Sequence, residues 1–350
     1  MTAENEASPP EGGATLLLGI DLGTSRTAVV SSRGTRVNLS TYVGRPKDVV
    51  SEKLLGKRLL FGDEALRHRL SLDLYRPLEK GVIQWNGEGQ ADTLDAIRQF
   101  VRYAVSLAAP REDDVIHAVV GAPAQASVRD KKALIEACGD ALDAVMIASE
   151  PFCVAYGLGV LTDALILDIG AGTMDLCRMH GTLPGEDDQV TIDKAGDFID
   201  RTLFELLRRD YPEAQFTIHM IRRIKEDYGY VSGAHDRVVV TFPVEGRPRQ
   251  FDITEQIQEA CHAIVPDLTE AIYRLIGTFD PEFQQRLRDN VIVCGGGSQL
   301  AGLRTLVEKA LDELGGGKVS VVGEPVFAGA SGALRIAHDM PASFWERLDR

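Results

Sequence analysis

The chain lacks the features that would tie it to a membrane, a nucleic acid or a disulfide framework. No stretch of its 350 residues approaches the ~18 consecutive apolar positions that a bilayer-spanning helix requires. No dense run of Lys and Arg offsets a formal charge of -14, so phosphate backbones and anionic lipid surfaces are repelled, and neither nucleic acid binding nor direct membrane insertion is expected. Basic residues are also missing from the first fifteen positions, which hold Glu4, Glu6, Glu11, Pro9, Pro10, Gly12 and Gly13. That composition excludes a secretory or transit leader and reads as a flexible acidic tail over 1–14 on a soluble, cytoplasmic protein. Cys138, Cys153, Cys177, Cys261 and Cys294 are widely spaced, odd in number and mostly set in apolar segments, the pattern of buried free thiols rather than of paired or zinc-bound ones. The histidines show no His-x-x-x-His spacing and receive no role.

The length suits two domains, each able to bury a core, and an apolar fraction of 44% with 26% charged residues is that of a globular chain. Leu16 to Ile20, a tight polar turn and Ala28 to Val30 read as a hairpin. Leu94, Ile97, Val101, Ala104 and Leu107 recur at helical spacing within 91–108. Val115 to Val120 reads as a strand, and Ser127 can cap a helix running to about Leu142. A second hairpin follows, Leu165 to Leu167 and Met174 to Met179, with its own tight turn. Residues 196–210, 214–228 and 254–277 read as helices, 236–243 and 291–293 as strands, and a last helix starts at or beyond Pro325 and runs to about Ala337. Alternating strands and helices with a recurring hairpin predict an α/β protein of two similar lobes.

Each hairpin ends its first strand on an Asp and turns through Gly and Thr: Asp21-Leu22-Gly23-Thr24-Ser25 and Asp168-Ile169-Gly170-Ala171-Gly172-Thr173. Such a turn aims several backbone N–H groups at one point, a cradle for phosphate oxygens. The carboxylate can hold a water of a magnesium ion that bridges the phosphates. One Asp-x-Gly-Thr turn alone is an ordinary turn former; two, each between strand-like runs, make a specific signal.

These loops resemble the two phosphate motifs of the actin, sugar-kinase and heat-shock-chaperone ATPase superfamily. Ile292 to Ser298, with its glycines Gly295, Gly296 and Gly297, resembles the adenosine motif, and Ala148 to Gly157 and Glu324 to Leu334 resemble the two helices that connect the lobes. Within the superfamily, Val43 to Lys47, Phe61 to Ala65, Arg76 to Val82 and Ile224 to Glu226 resemble actins. Pro46 to Val49, Gly185 to Thr191 and Ser149 to Phe152 resemble the magnetosome branch of the bacterial actins. The resemblance implies a two-lobed actin-like fold of duplicated ribonuclease-H-like domains with a nucleotide cleft between them. It places lobe I at 15–162 plus 325–337 with a small insert at about 43–84, lobe II at 163–324 with an insert at about 206–270, and a tail of unclear role at 338–350. It also implies ATP or ADP with magnesium as cofactors, Asp21 and Asp168 around the metal through water, and Gly23, Thr24, Ser25, Gly170, Ala171, Gly172, Thr173, Asp175, Gly295, Gly296, Gly297 and Ser298 about the nucleotide. Lys225 and Glu226 would flank adenine and ribose, against the alternative of a solvated helix face. Arg26 departs from the actin pattern, whose first loop is longer.

Hydrolysis needs an oriented water, and Glu150, before Pro151 at a strand-to-helix junction, is the candidate to orient it with Asp21 and Asp168 nearby; the alternative is a Glu favoured at a positive helix start. The function implied is a polymerising cytoskeletal ATPase that assembles with itself and organises magnetosomes through adaptor proteins on their vesicles. A small-molecule kinase or a non-polymerising, nucleotide-dependent scaffold would share the same clamp.

Overall fold

The computed structural model describes residues 14–83, 90–233 and 236–348. The expected acidic tail, apart from its last residue, therefore lies outside the described residues.

Two five-stranded sheets share one topology. In lobe I, Thr15–Leu22 pairs antiparallel with Arg26–Ser31, which pairs antiparallel with Arg36–Ser40; on its other side Thr15–Leu22 runs parallel to Val115–Ala122, which is parallel to Ala144–Ser149. Lobe II repeats the arrangement with Thr162–Ile169 in the centre, Met174–His180 and Gln189–Ile192 antiparallel on one side, Val291–Cys294 and Val319–Val321 parallel on the other. The central strands are buried on both faces, which is why they read as near-continuous apolar runs. Each sheet carries its own apolar cluster, one built around Leu16, Leu18, Ile97 and Phe100 and the other around Leu165, Leu167, Leu203 and Phe242. A three-stranded sheet of Val43–Pro46, Leu60–Phe61 and Leu72–Tyr75 lies in the first insert, and the hairpin Val239–Val244 with Arg247–Asp252 in the second.

Local chemistry explains where the elements stop. Ser127 and Asp130 form a reciprocal capping box that starts the helix Val128–Cys138, which ends earlier than the sequence suggested, before Gly139. The run expected as one helix over 254–277 is two, Thr254–His262 and Val265–Gly277, because Pro266 has no N–H to continue the first and fits the opening turn of the second. The helix beyond Pro325 begins at Ala328 and runs to Asp339. Past it, Ala342–Leu348 is helical, and Trp345, 4% exposed, stacks on His117 at a centroid distance of 4.9 Å, which anchors the segment read as a tail to lobe I. None of the described helices is long and apolar enough to cross a membrane.

Two helices link the lobes, Glu150–Leu158 and Ala328–Asp339, and they cross backbone against backbone. A Cβ on Gly332 would stand 1.7 Å from the Cys153 carbonyl oxygen, and one on Gly157 would stand 2.8 Å from the Gly332 Cα. Gly332→Ala is therefore expected to destabilise the chain by about 1–3 kcal/mol, the range for overpacked sites, read from urea unfolding.

Candidate functional site

Between the lobes lies a cavity of about 520 Å³, ample for a nucleotide. Its walls bring together Asp21, Gly23, Thr24, Ser25, Glu150, Asp168, Gly170, Ala171, Gly172, Thr173, Lys225, Glu226, Gly295, Gly296 and Gly297, all singled out from sequence.

The turns are as tight as their residues allow. A side chain on Gly23 would meet the Arg26 carbonyl at 2.6 Å, and the Gly170 N–H closes its loop on the Thr173 carbonyl at 2.9 Å. The loops also touch each other, since a Cβ on Gly172 would fall 2.4 Å from Thr24 Oγ1 and 2.7 Å from Lys80 Cα. Thr24 Oγ1 in turn accepts the Gly81 N–H at 2.6 Å, which holds that hydroxyl between the lobes. On the opposite wall Gly295 has φ +75, a conformation only glycine adopts freely, at the turn out of Val291–Cys294.

Three carboxylates face the floor. Each sits against a glycine whose missing side chain leaves it room: Asp21 Oδ2 is 2.8 Å from where a Gly329 Cβ would be, Glu150 Cγ 3.2 Å from that of Gly121, and Asp168 Oδ1 2.3 Å from that of Gly295. Gly121 and Gly329 were not read as site residues; the available signal was a glycine inside a strand and another inside a helix, where glycine weakens the element unless something must approach closely. Among the described residues none of these carboxylates has an ion-pair partner. Burial pushes Asp21 up to about 6. Burial and then the charges of Asp21 and Asp175 push Asp168 up to about 8, against a hydrogen bond from Cys294. Burial, then Asp21, Asp175 and Asp168, raise Glu150 well above the ordinary range. Such a floor suits a divalent cation arriving with the nucleotide. Among the described residues no group of three or more His, Cys, Asp or Glu is placed to hold a metal ion directly.

Two sequence candidates stand outside the cavity lining. Asp175, 1% exposed, accepts from the Ala124 N–H at 2.8 Å and from Thr191 Oγ1 at 2.6 Å, so it ties the second hairpin to lobe I behind the loop. Ser298 is buried and donates to the Gly295 carbonyl at 2.7 Å, stabilising the glycine turn from within. Lys225 lines the cavity but is engaged by the Gly196 carbonyl at 3.2 Å and by Asp200 at 2.9 Å. Sequence reasoning missed Asp197, Arg222, Gln299 and Leu300, which also line it, and named Arg26 without a role.

Two lobes of one topology, facing each other across a loop-lined cleft and joined by two crossed helices, define a protein of the actin-like class. A model of the MreB/Mbl protein family matches residues 15–343, and the chain belongs to that family of actin-like proteins. It is 40% identical over 333 residues to the actin-like protein MamK of Paramagnetospirillum magneticum (strain AMB-1), covering 95% of each chain. A MamK double helical filament superposes with a TM-score of 0.90 at 39% identity, over 93% of this chain and 100% of that one. A non-polymerising MamK mutant bound to AMPPNP superposes with a TM-score of 0.70 at 39% identity, over 94% and 100%.

A carboxyl whose folded pKa lies above its unfolded value near 4 takes up a proton on folding, so it stabilises below the unfolded value and that contribution is lost as pH rises through the folded one. The nucleotide-free chain should therefore lose stability as pH rises from about 4 through about 6 for Asp21 and about 8 for Asp168. Asp168→Asn should flatten the upper part of that fall, whose ceiling is about 1.4 kcal/mol per pH unit for one titrating group, in urea unfolding without divalent cations.

Proposed function

We propose that the chain is a polymerising ATPase: it binds ATP with magnesium between its lobes, assembles head to tail with further copies of itself, and hydrolyses the nucleotide to promote disassembly. The observation that carries this reading is the pairing of two facing phosphate loops with a carboxylate floor that holds Glu150 under them. It is supported by likeness to relatives that form filaments. The small insert of lobe I also exposes Val49, Val50, Leu54 and Leu70, each more than three-quarters exposed, an apolar surface that a second copy would cover.

In this reading the N–H groups of both loops orient the phosphates, and Gly295 to Gly297 let the backbone approach the nucleoside closely. Asp21 and Asp168 would hold a cation through its waters, and magnesium there would neutralise charge on the phosphates. Glu150 accepts a hydrogen bond from the attacking water and so aligns it, its basicity matched to the task by burial and neighbouring charge. Lys225 is held by Asp200 beside Glu226 on the nucleoside side of the cleft. By analogy with the magnetosome relatives, the filament's role is to organise magnetosomes through adaptor proteins on their vesicles, in the cytoplasm.

Glu150→Ala should leave ATP binding and assembly intact while phosphate release slows by roughly 100-fold or more and filaments persist, measured by coupled phosphate assay and sedimentation. A variant releasing phosphate at the parental rate would remove Glu150 from the mechanism. Asp21→Ala should weaken magnesium-dependent ATP binding by roughly tenfold to a hundredfold, the range for partners acting on a metal through its ligands, and calorimetry showing unchanged affinity would refute the metal role. Phosphate released in water without an acceptor separates this reading from a kinase; failure to sediment with ATP and magnesium at micromolar protein would refute polymerisation.

A further inference from the structure

The two phosphate loops belong to different lobes, and one hydrogen-bonded path between them runs through a single side chain, that of Asp197. The backbone N–H of Asp197 donates to the Ala171 carbonyl at 2.7 Å, and that of Gly196 to the Gly170 carbonyl at 3.2 Å, so this residue is seated on the second loop. Its carboxylate takes Arg76 Nη2 at 2.8 Å on one oxygen and Arg222 Nη2 at 2.9 Å on the other. Arg76 Nη2 also donates to the Thr24 carbonyl at 3.0 Å, which is the first loop. Arg222 extends the network outward, to the Tyr42 hydroxyl of the lobe I insert at 3.0 Å and to Asp200 at 2.9 Å, the residue that also holds Lys225.

We infer that Asp197 is a positioning residue for the nucleotide reaction, setting the separation of the two phosphate loops by clasping Arg76 across the cleft. The loops already touch where Gly172 meets Thr24, and that contact fixes how closely they approach. Nothing in it prevents them from parting. The Asp197–Arg76 bond supplies the opposing restraint, and it is shielded: the side chains are 17% and 24% exposed. Charge-assisted bonds of this kind are short and directional, so they hold geometry as well as contributing energy. Among the described residues, three cations, Arg76, Arg222 and Lys225, pair here with two carboxylates, Asp197 and Asp200. An amide at position 197 keeps one acceptor oxygen for two guanidiniums, so it loses one of the two bonds and the charge that strengthens the other, while the fold of the helix Gly196–Asp210 is left in place.

The inference rests on the ATPase reading above and is tested with two variants and two readouts. Asp197→Asn and Arg76→Met should each lower ATP turnover at saturating nucleotide by on the order of tenfold or more, with nucleotide affinity changed less than about threefold, since misplacement of reacting groups costs rate rather than binding. The double variant should fall no further than either single one, because both cut the same restraint. With AMPPNP and magnesium bound, the Gly81 amide, which donates to Thr24 Oγ1, should exchange with solvent at least about tenfold faster in both variants than in the parental chain. Parental turnover in Asp197→Asn, equal losses of rate and affinity, or additive effects in the double variant would each overturn the inference. If the parental chain itself turns over no ATP, the ATPase reading fails and the exchange measurement alone decides Asp197; unchanged Gly81 protection then rejects it.

Discussion

Asp21, Asp168 and Glu150 are like charges in a place where water is scarce, and much of the architecture serves to hold them there. Burial raises the pKa of all three, and for Asp168 and Glu150 the neighbouring carboxylates raise it further, so the surrounding packing holds these groups against the cost of lost hydration. Three glycines from three different elements clear their seats. The sheets place Asp21 and Asp168 at equivalent ends of equivalent strands, and the first connecting helix begins on Glu150 itself. The walls above carry the opposite character, turns rich in N–H donors. Floor and walls together ask for a ligand that is anionic on one side and brings a cation on the other.

That architecture was legible in sequence wherever the signal was local. Hairpins, tight turns and amphipathic helices depend on neighbours a few positions apart, and the paired Asp-Gly-Thr turns announced the site. What stayed hidden depends on distance along the chain. Arg76 and Asp197 are 121 positions apart, and nothing near either one marks them as partners. Lys225 looked like a member of a solvated helix face because its neighbours Arg223 and Asp227 are indeed on one; which turn of a helix meets a carboxylate is settled by tertiary packing. Adjacency to a motif misled in the other direction: Asp175 and Ser298 belong to the motif segments, yet neither lines the cavity, and their hydrogen bonds brace the protein around it.

Those two residues show a second layer to the site. Asp175 joins the second hairpin to Ala124 of lobe I, and Gln125 exchanges hydrogen bonds with Thr191 beside it, its N–H donating to Thr191 Oγ1 at 3.0 Å and its side chain accepting from the Thr191 N–H at 3.1 Å. Together with Arg76 and Asp197 on the other side of the loops, the cleft is fastened on both flanks of the phosphate site by groups that touch no part of its lining in common.

The glycine crossing of the two connecting helices has a mechanical consequence. Backbones in direct contact, with a carbonyl oxygen occupying the place of a side chain, cannot slide past one another, so the lobes are left with rotation about that point. In a rotation, displacement grows with distance from the axis. Glu150 opens one of the crossed helices, and Gly329, against which Asp21 lies, belongs to the other. The carboxylates therefore lie close to the one point that any such rotation leaves nearly still.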